Sequence, residues 1–347
     1  MSPYALSILL SSLSLGTMLT FISNHWFLAW MGLEINTLAI IPLMTKLHHP
    51  RAIEAATKYF LIQASASALI LFSSTINAWF TGEWTITNIQ THLPTIMLTI
   101  ALSMKLGIAP FHLWMPDVLQ GLDLLTCLIL STWQKLAPMT LLIMTHHLLN
   151  SNMLIVMALL STLIGGWGGL NQTQLRKIMA YSSIAHMGWM IFILSFLPHL
   201  MMMNLLIYLL MTLCMFIMLI HFNSLNINKL AMSWIKNPIL TAMMMTTLMS
   251  MGGLPPTSGF MPKWLILQEI TKQNLTTMAS LMALSALLSL FFYLRLSYAM
   301  CLTSSPNMSY SKLHWRFKNN TPNLLPLTII LSNMLLPITP LMINLFL

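Results

Sequence analysis

Four ionisable residues stand inside long apolar segments of this 347-residue chain: Glu34, Lys105, Lys135 and Lys263. Only 6% of the residues are charged and 57% are hydrophobic, so each of the four is surrounded by apolar sequence. Placing an ionisable group in hydrocarbon costs at least ~2.5 kcal/mol on insertion scales. A chain that keeps four such groups is therefore predicted to handle charge within a membrane.

The chemistry that these residue types favour is proton transfer. Burial in an apolar medium disfavours the ammonium form of a lysine, whereas a nearby carboxylate favours it. We expect Glu34 to pair with Lys105 and to act as the switch of an ordered path that runs through Lys105 and Lys135 to Lys263. Static ion pairs that fix helix packing are the alternative. Three lysines share one acid at a span centre, so such pairing leaves at least one lysine without a carboxylate.

Two histidines and two aspartates are further candidates along this path. His112 and His186 could relay protons because imidazole titrates near neutrality, and a hydrogen-bonded packing role fits them equally well. Asp117 and Asp123 lie in a short loop and are either proton-uptake groups or simply solvated.

Membrane-spanning helices must position these groups. The apolar runs approach the ~20 residues that a helix needs to cross a bilayer. They are continuously apolar and too long for the alternating strands of a membrane barrel. The sequence therefore predicts an all-α polytopic membrane protein with about 11 transmembrane helices and no soluble domain. The predicted spans are 4–22, 25–44, 57–80, 93–115, 122–145, 150–170, 178–197, 199–222, 238–267, 275–300 and 324–346.

The basic residues predict the orientation of the chain. Loops after even-numbered spans contain eleven Lys and Arg residues, whereas loops after odd-numbered spans contain only Lys272. The positive-inside rule then places the N-terminus on the side of synthesis and the C-terminus on the other side. The net charge of +9 is explained by topology and anionic lipid, and no nucleic-acid partner is expected. The eleven residues are Lys46, Arg51, Lys58, Arg176, Lys177, Lys229, Lys236, Arg295, Lys312, Arg316 and Lys318.

Composition also indicates the compartment. Residues 1–16 have neither an Arg-rich amphipathic presequence nor a signal peptide with a cleavage site, so no cleavage is expected. The 33 methionines fit flexible core packing, or a genetic code in which one isoleucine codon specifies methionine. Together these features favour synthesis inside a mitochondrion, with the basic loops on the matrix side.

The sequence contains no motif that predicts a bound cofactor. Cys127, Cys214 and Cys301 are far apart and form no Cys-x-x-Cys pair, so iron–sulfur, zinc and disulfide sites are not predicted. The glycine cluster at 165–169 lacks the spacing of a nucleotide-binding loop and is better explained by close helix packing. We expect no cofactor and no metal in this chain.

An internal repeat contains two interrupted spans. The fourth and ninth spans carry glycine and proline where a continuous helix is expected. The interrupted part of the ninth span repeats that of the fourth at a spacing of 145 residues, which becomes 146 residues after one inserted residue. The predicted helix breaks are Gly107 and Pro110 in the fourth span and Gly252, Gly253, Pro255 and Pro256 in the ninth.

This repeat predicts the domain organisation. A unit of five spans repeated in tandem must enter the membrane from opposite sides, as in the inverted repeats of many transporters. The units are residues 1–147 and 148–300, followed by a loop and a last helix at 301–347, within one membrane domain. Broken backbone is tolerated where it is buried in protein or lines water, so paired breaks indicate a transport site. Ordinary proline kinks are the alternative.

Five segments resemble the antiporter-like membrane subunits of respiratory complex I, of the mammalian mitochondrial type. The similarity covers essentially the whole chain. The segments are HWFLAWMGLEIN at 25–36, KLGIAPFH at 105–112, WQK at 133–135, LRKIMAYSSIAHMG at 175–188 and GGLPPTSGF at 252–260.

The resemblance implies a fold shared with cation/proton antiporter subunits and a translocase role, in which proton movement is coupled to electron transfer from NADH to ubiquinone. It implies that Glu34, Lys105, Lys135 and Lys263 form the proton path. FMN, iron–sulfur clusters and ubiquinone are expected in other subunits. Bacterial relatives usually begin with three additional helices, so this chain starts at what would be their fourth.

The resemblance also implies partners and a location. Other membrane-arm subunits, including a neighbouring antiporter-like subunit, and lipids such as cardiolipin are the expected partners. The expected location is the mitochondrial inner membrane, with the N-terminus on the matrix side and the C-terminus on the intermembrane-space side. A freestanding sodium/proton antiporter and a structural membrane subunit remain as alternative functions.

Overall fold

The computed structural model describes residues 2–46, 48–89, 91–302 and 324–341, without the side chains of residues 235 and 236. Within these ranges the secondary structure is helical, no β-strand occurs, and isolated β-bridges join His25 to Thr85 and Gln174 to Asn226. The prediction of an all-α protein is confirmed. In chain order the helices are α1 (Pro3–Ile22), α2 (Trp26–Met44), α3 (Pro50–Thr81), α4 (His92–Leu106), α5 (Trp114–Gly121), α6 (Leu124–Thr145), α7 (Ser151–Gly169), α8 (Leu175–Leu194), α9 (Pro198–Phe222), α10 (Ile227–Ala231), α11 (Ser233–Lys236), α12 (Pro238–Gly252), α13 (Phe260–Lys272), α14 (Thr276–Leu302) and α15 (Leu324–Met334).

Each predicted span coincides with one helix or with two helices separated by a break. Eight helices are long and apolar enough to cross a membrane by themselves: α1, α2, α3, α6, α7, α8, α9 and α14. The other three positions hold the shorter apolar helices α4, α12 and α15. The number of crossings stays a prediction. The end of the last predicted span, the C-terminus and the basic residues Lys312, Arg316 and Lys318 lie outside the described residues.

Helix α3 is longer than predicted because it begins at Pro50 rather than near residue 57. The His49 side chain accepts a hydrogen bond from the Arg51 N–H at 3.2 Å and caps the helix, while proline suits a first helical position. The 32 residues of α3 span ~48 Å, more than the ~30 Å of bilayer hydrocarbon. The excess length allows the charged first turns, with Glu54 and Lys58, to extend into the interfacial region.

Glycines allow close approach of neighbouring helices. A Cβ atom on Gly32 would lie 2.8 Å from the Gly16 carbonyl oxygen, so α1 and α2 pack closely at this pair. In the glycine cluster at 165–169, a Cβ atom on Gly165 would lie 2.7 Å from the Ala185 nitrogen. The prediction that this cluster serves helix packing is confirmed.

Many buried hydroxyl groups donate to a carbonyl of their own helix. Thr20 Oγ1 donates to the Thr17 carbonyl at 2.7 Å, and Thr247 Oγ1 donates to the Met244 carbonyl at 2.9 Å. This local bonding removes the cost of an unsatisfied hydroxyl in an apolar surrounding. Buried polar atoms without such a partner are therefore candidates for function.

The chain forms two compact units whose boundary lies within α7. The first unit runs to Ser161 and includes Leu194–Pro198, and the second contains Thr162–Ile193 and continues from His199. In the first unit α6 packs against α1, α2 and α4, and α3 packs against α4 and α5. In the second unit α14 packs against α10, α12 and α13. The division into inverted repeats after residue 147 stays a prediction.

Candidate functional site

The first helix break follows α4, as predicted. Gly107 has φ 72° and ψ 42°, a left-handed conformation that favours glycine, and its N–H donates to the Met104 carbonyl at 3.3 Å. Side chains also bind the carbonyls at this helix end: Trp114 Nε1 donates to Met104 at 3.2 Å, and Gln63 Nε2 donates to Lys105 at 3.4 Å. These carbonyls are therefore satisfied inside the protein, as a broken helix in a membrane requires.

Lys105 and Lys135 line the same internal cavity in the first unit. The exposed fraction of the two residues is only 6% and 5%, respectively. The cavity volume of about 20 Å³ is enough for about one water molecule. A water held in such a polar cavity can pass a proton between the two amines. The other polar residues of the lining are Asn36 and Thr37 of α2, Tyr59 and Gln63 of α3, and Gln134 of α6.

Glu34 of α2 does not line this cavity itself, but it interacts with Lys105, which does. The Glu34 Oε2 atom and the Lys105 Nζ atom are both buried without a hydrogen-bond partner. Glu34 lies close enough to Lys105 to interact with it electrostatically. Both charged side chains belong to the described residues, yet they form no ion pair within 4.0 Å. The expected direct pairing of Glu34 with Lys105 is therefore corrected to an interaction over a longer distance.

His112 and Asp117 occupy different environments beyond the first break. His112 lies between α4 and α5, is buried, and has an Nδ1 atom without a hydrogen-bond partner. Asp117 is exposed in the first turn of α5, and its carboxylate forms an ion pair with Lys58 at 3.3 Å. Asp123 is exposed just before α6. The relay role of His112 stays a prediction.

The second helix break follows α12, also as predicted. Gly253 has φ 80° and ψ 41°, and its N–H donates to the Ser250 carbonyl at 3.0 Å. Lys263 of α13 reaches back to this helix end, where its Nζ donates to the Gly252 carbonyl at 2.8 Å. The C-terminal end of a helix carries partial negative charge, so it stabilises the ammonium group. A Cβ atom on Gly253 would lie 2.9 Å from Lys263 Cδ.

The backbone also revises the register of the repeat. Gly107 and Gly253 are the glycines with the same left-handed conformation and the same hydrogen bonds to the preceding turn. Their spacing is 146 residues, and at this spacing no inserted residue is needed. The spacing of 145 residues paired Gly107 with Gly252. The backbone instead pairs Gly107 with Gly253, one residue later. The spacing of 146 residues also relates Pro110 to Pro256, Met115 to Met261 and Pro116 to Pro262.

Buried aromatic rings lie next to His186 and next to the second break. The rings of His186 and Tyr208 have centroids 5.5 Å apart. The Tyr293 ring lies 3.7 Å from the position that a Cβ atom on Gly252 would take, and Gly252 accepts the hydrogen bond from Lys263.

Several residues of the cavity lining and of the region around the second break were missed by sequence reasoning. Gln63 and Tyr59 stand in the apolar segment Tyr59-Phe-Leu-Ile-Gln63, where an amide inside a predicted span was a usable signal. Tyr208 and Tyr293 gave no such signal, because tyrosine is also common in membrane proteins at the water interface.

An all-α membrane protein with two broken helices and a lysine at each break belongs to the class of transport proteins with discontinuous helices. The family described as "NADH:quinone oxidoreductase/Mrp antiporter, TM" matches residues 23–289, and "NADH dehydrogenase subunit 2 C-terminus" matches residues 290–343. The chain therefore belongs to the NADH:quinone oxidoreductase/Mrp antiporter family of membrane proteins.

Curated relatives match this chain over nearly its full length. The NADH-ubiquinone oxidoreductase chain 2 of Squalus acanthias is 60% identical over 341 residues, which are 98% of each chain. The protein of the same name from Salmo salar is 61% identical over 342 residues, again 98% of each chain. These matches confirm the resemblance drawn from the sequence motifs.

Solved structures share the fold. A chain of respiratory complex I from Thermus thermophilus with bound aureothin is 26% identical, with a TM-score of 0.81. The match covers 97% of this chain and 80% of that one. A chain of the Mrp complex from Dietzia is 15% identical with a TM-score of 0.79, over 96% of this chain and 75% of that chain, and is similar in fold alone.

Proposed function

We propose that this chain is a proton-translocating membrane-arm subunit of NADH:ubiquinone oxidoreductase, respiratory complex I. Family membership and the curated relatives of that name support the assignment to the complex. The observation that carries the translocating role is the cavity shared by two buried lysines, Lys105 and Lys135, with a carboxylate within electrostatic range. In this assignment the chain moves protons, and electron transfer takes place in other subunits.

In the first unit, Glu34 controls where the proton resides. A charged Glu34 stabilises the ammonium form of Lys105 through their electrostatic interaction. When Glu34 is neutralised, this stabilisation is lost and Lys105 releases a proton to a water in the cavity. The neutral amine of Lys135 accepts that proton from the water. The amide side chains that line the cavity hold the water through hydrogen bonds.

In the second unit, Lys263 is the proton carrier at the break. The Gly252 carbonyl accepts a hydrogen bond from its ammonium group, and this bond weakens when the lysine loses its proton. His186, whose ring centroid lies 5.5 Å from that of Tyr208, is the proposed second proton carrier of this unit.

The proposed assembly also assigns the remaining components. FMN, iron–sulfur clusters and ubiquinone are held by other subunits, and this chain contributes no redox centre. Its partners are other membrane-arm subunits, including an antiporter-like neighbour, together with lipids such as cardiolipin. The chain lies in the mitochondrial inner membrane with its N-terminus on the matrix side and its C-terminus on the intermembrane-space side, so the enzyme acts as a translocase.

Replacement Glu34→Gln tests this function against a purely structural role. Glutamine has the size of glutamate without its charge, so the complex should assemble, whereas the control of Lys105 is lost. Loss of an interaction of about 1 kcal/mol should lower the rate about fivefold. The measurements are NADH oxidation and proton pumping by the purified complex in vesicles.

Glu83→Gln is the matched control, because Glu83 is an exposed acid that binds Asn88 at 2.7 Å outside the lysine cavity. Its activity should equal that of the unmodified complex. Normal pumping by an assembled Glu34→Gln complex would favour a structural subunit and contradict the proposal.

A further inference from the structure

A charged cleft opens at the surface of the first unit. Its volume is about 200 Å³, and it is formed between the first turns of α3 and the α5 residues from Asp117 to Gly121. Lys58 forms ion pairs with Glu54 at 2.9 Å and with Asp117 at 3.3 Å across the cleft. The side chains of these ion pairs are at least 43% exposed, so water reaches the cleft. The residues that line the cleft are Arg51, Glu54, Ala55, Lys58, Asp117, Gln120 and Gly121.

The same two helices lead from this cleft to the lysine cavity. On α3 the cleft lining ends at Lys58, and the cavity lining begins at Tyr59. On α5 the cleft lining begins at Asp117, and the cavity is lined by Trp114 and Met115, three and two positions earlier, or ~4.5 Å and ~3 Å along the helix axis. The cleft and the cavity are therefore neighbouring spaces along the contact between α3 and α5, which is called the α3–α5 seam below.

Two aromatic residues of the cavity lining stand close in sequence to the cleft residues: Tyr59 directly follows the last cleft residue of α3, and Trp114 precedes the first cleft residue of α5 by three positions. The rings of Tyr59 and Trp114 are in edge-to-face contact, with centroids 5.7 Å apart and an interplanar angle of 62°. Both residues are buried. Trp114 is fixed by its hydrogen bond to the Met104 carbonyl and lies 3.3 Å from the position that a Cβ atom on Gly107 would take. Aromatic rings in contact leave no room for water between them, so this pair has the form of a barrier on the side of the cavity nearest to the cleft residues in sequence.

We propose that Tyr59 and Trp114 form a closed aromatic gate between the charged cleft and the cavity. Opening of the gate joins the two spaces, so that water and protons reach Lys105 and Lys135 from the cleft. The inference rests on the proposed function, because it supplies the lysines of that function with access to water.

Access to the cavity can be measured in the assembled complex without turnover. Ala137 is buried and lines the cavity, so Ala137→Cys places a thiol there. The probe is Ag⁺, and its reaction is measured as protection of this thiol from alkylation after denaturation. With Trp114→Ala added, the thiol should react at least about tenfold faster than in the Ala137→Cys complex alone, because removal of the indole opens the seam.

Two control variants distinguish opening of the Tyr59–Trp114 gate from a general loosening of the helix packing. Trp79→Ala removes an exposed indole from α3, and Tyr59→Phe keeps the ring while it removes the hydroxyl group. Both should leave the thiol slow to react, and the buried Cys214 should stay unreacted in every variant. Equal rates for Trp114→Ala and Trp79→Ala would overturn the gate.

If the Trp114→Ala complex does not assemble, Tyr59→Ala takes its place with the same two outcomes. The labelling is done without NADH, so its result does not depend on pumping. A failed gate leaves the pumping result for Glu34→Gln unchanged, and normal pumping by Glu34→Gln leaves the labelling result unchanged.

Discussion

Replacement of Lys135 by alanine should lower NADH-driven proton pumping by about a hundredfold, within the range of a lost proton-transfer group. Lys135 is buried in α6 and lines the cavity that it shares with Lys105. Alanine removes the amine that accepts the proton, and apart from Lys105 itself the polar groups left in the lining are amides, hydroxyls and an indole, which do not accept a proton near neutral pH. The measurement is the ratio of protons pumped to electrons transferred, together with the rate of NADH oxidation.

Lys135→Arg separates proton exchange from charge. Arginine keeps a positive charge but does not release its proton, so a static ion pair would be restored whereas proton transfer would stay blocked. Lys272→Ala removes an exposed lysine bound to Glu269 and should leave pumping unchanged. An unchanged proton-to-electron ratio in Lys135→Ala, or full recovery in Lys135→Arg, would rule out Lys135 as a proton carrier.

Gly253→Ala should reduce pumping about tenfold, because it displaces Lys263 from the end of α12. The added Cβ atom would lie 2.9 Å from Lys263 Cδ and 3.0 Å from its Nζ, so the bond to Gly252 is lost or lengthened. Alanine in the left-handed conformation also costs about 1–2 kcal/mol. Pumping and the thermal stability of the complex should both be measured, because the second reports the backbone strain.

Gly82→Ala is the matched control for this strain. Gly82 has φ 74°, close to that of Gly253, yet a Cβ atom there would meet nothing within 4 Å. Both alanine variants should lose similar stability, but only Gly253→Ala should lose pumping. Gly253→Asn, which tolerates the left-handed conformation better, should regain stability without regaining pumping. Equal pumping by Gly82→Ala and Gly253→Ala would show that displacement of Lys263 has no effect.

Hydrophobic composition, together with the positions of glycine and proline, was sufficient to predict the apolar helices and the two breaks. A run of apolar residues has few structural options in a membrane, and glycine or proline inside it interrupts the helix. The ends of the elements were less predictable. Helix α3 begins before its predicted span, because the cap at His49 and the charged first turn follow local backbone chemistry rather than hydropathy.

The register of the internal repeat and the contacts between side chains could be determined only from the folded chain. Neighbouring glycines at 252 and 253 fit the repeat almost equally well, and only the positive φ of Gly253 decides between them. The cavity is lined from α2, α3, α4 and α6 as well as the α5 segment, so its membership depends on helix packing. Glu34 was expected to pair with Lys105 because their charges are opposite, but in the folded chain the two side chains form no ion pair within 4.0 Å.

The two halves of the repeat place their lysines on opposite sides of the helix break. Lys105 lies in the last turn of the helix before its break, whereas Lys263 comes from the helix after its break and extends back to the Gly252 carbonyl. Lys263 Nζ is bonded to the end of the preceding helix, whereas Lys105 Nζ is buried without a hydrogen-bond partner. The two halves therefore both place a lysine next to a helix break, and the polypeptide supplies it from the helix before the first break and from the helix after the second.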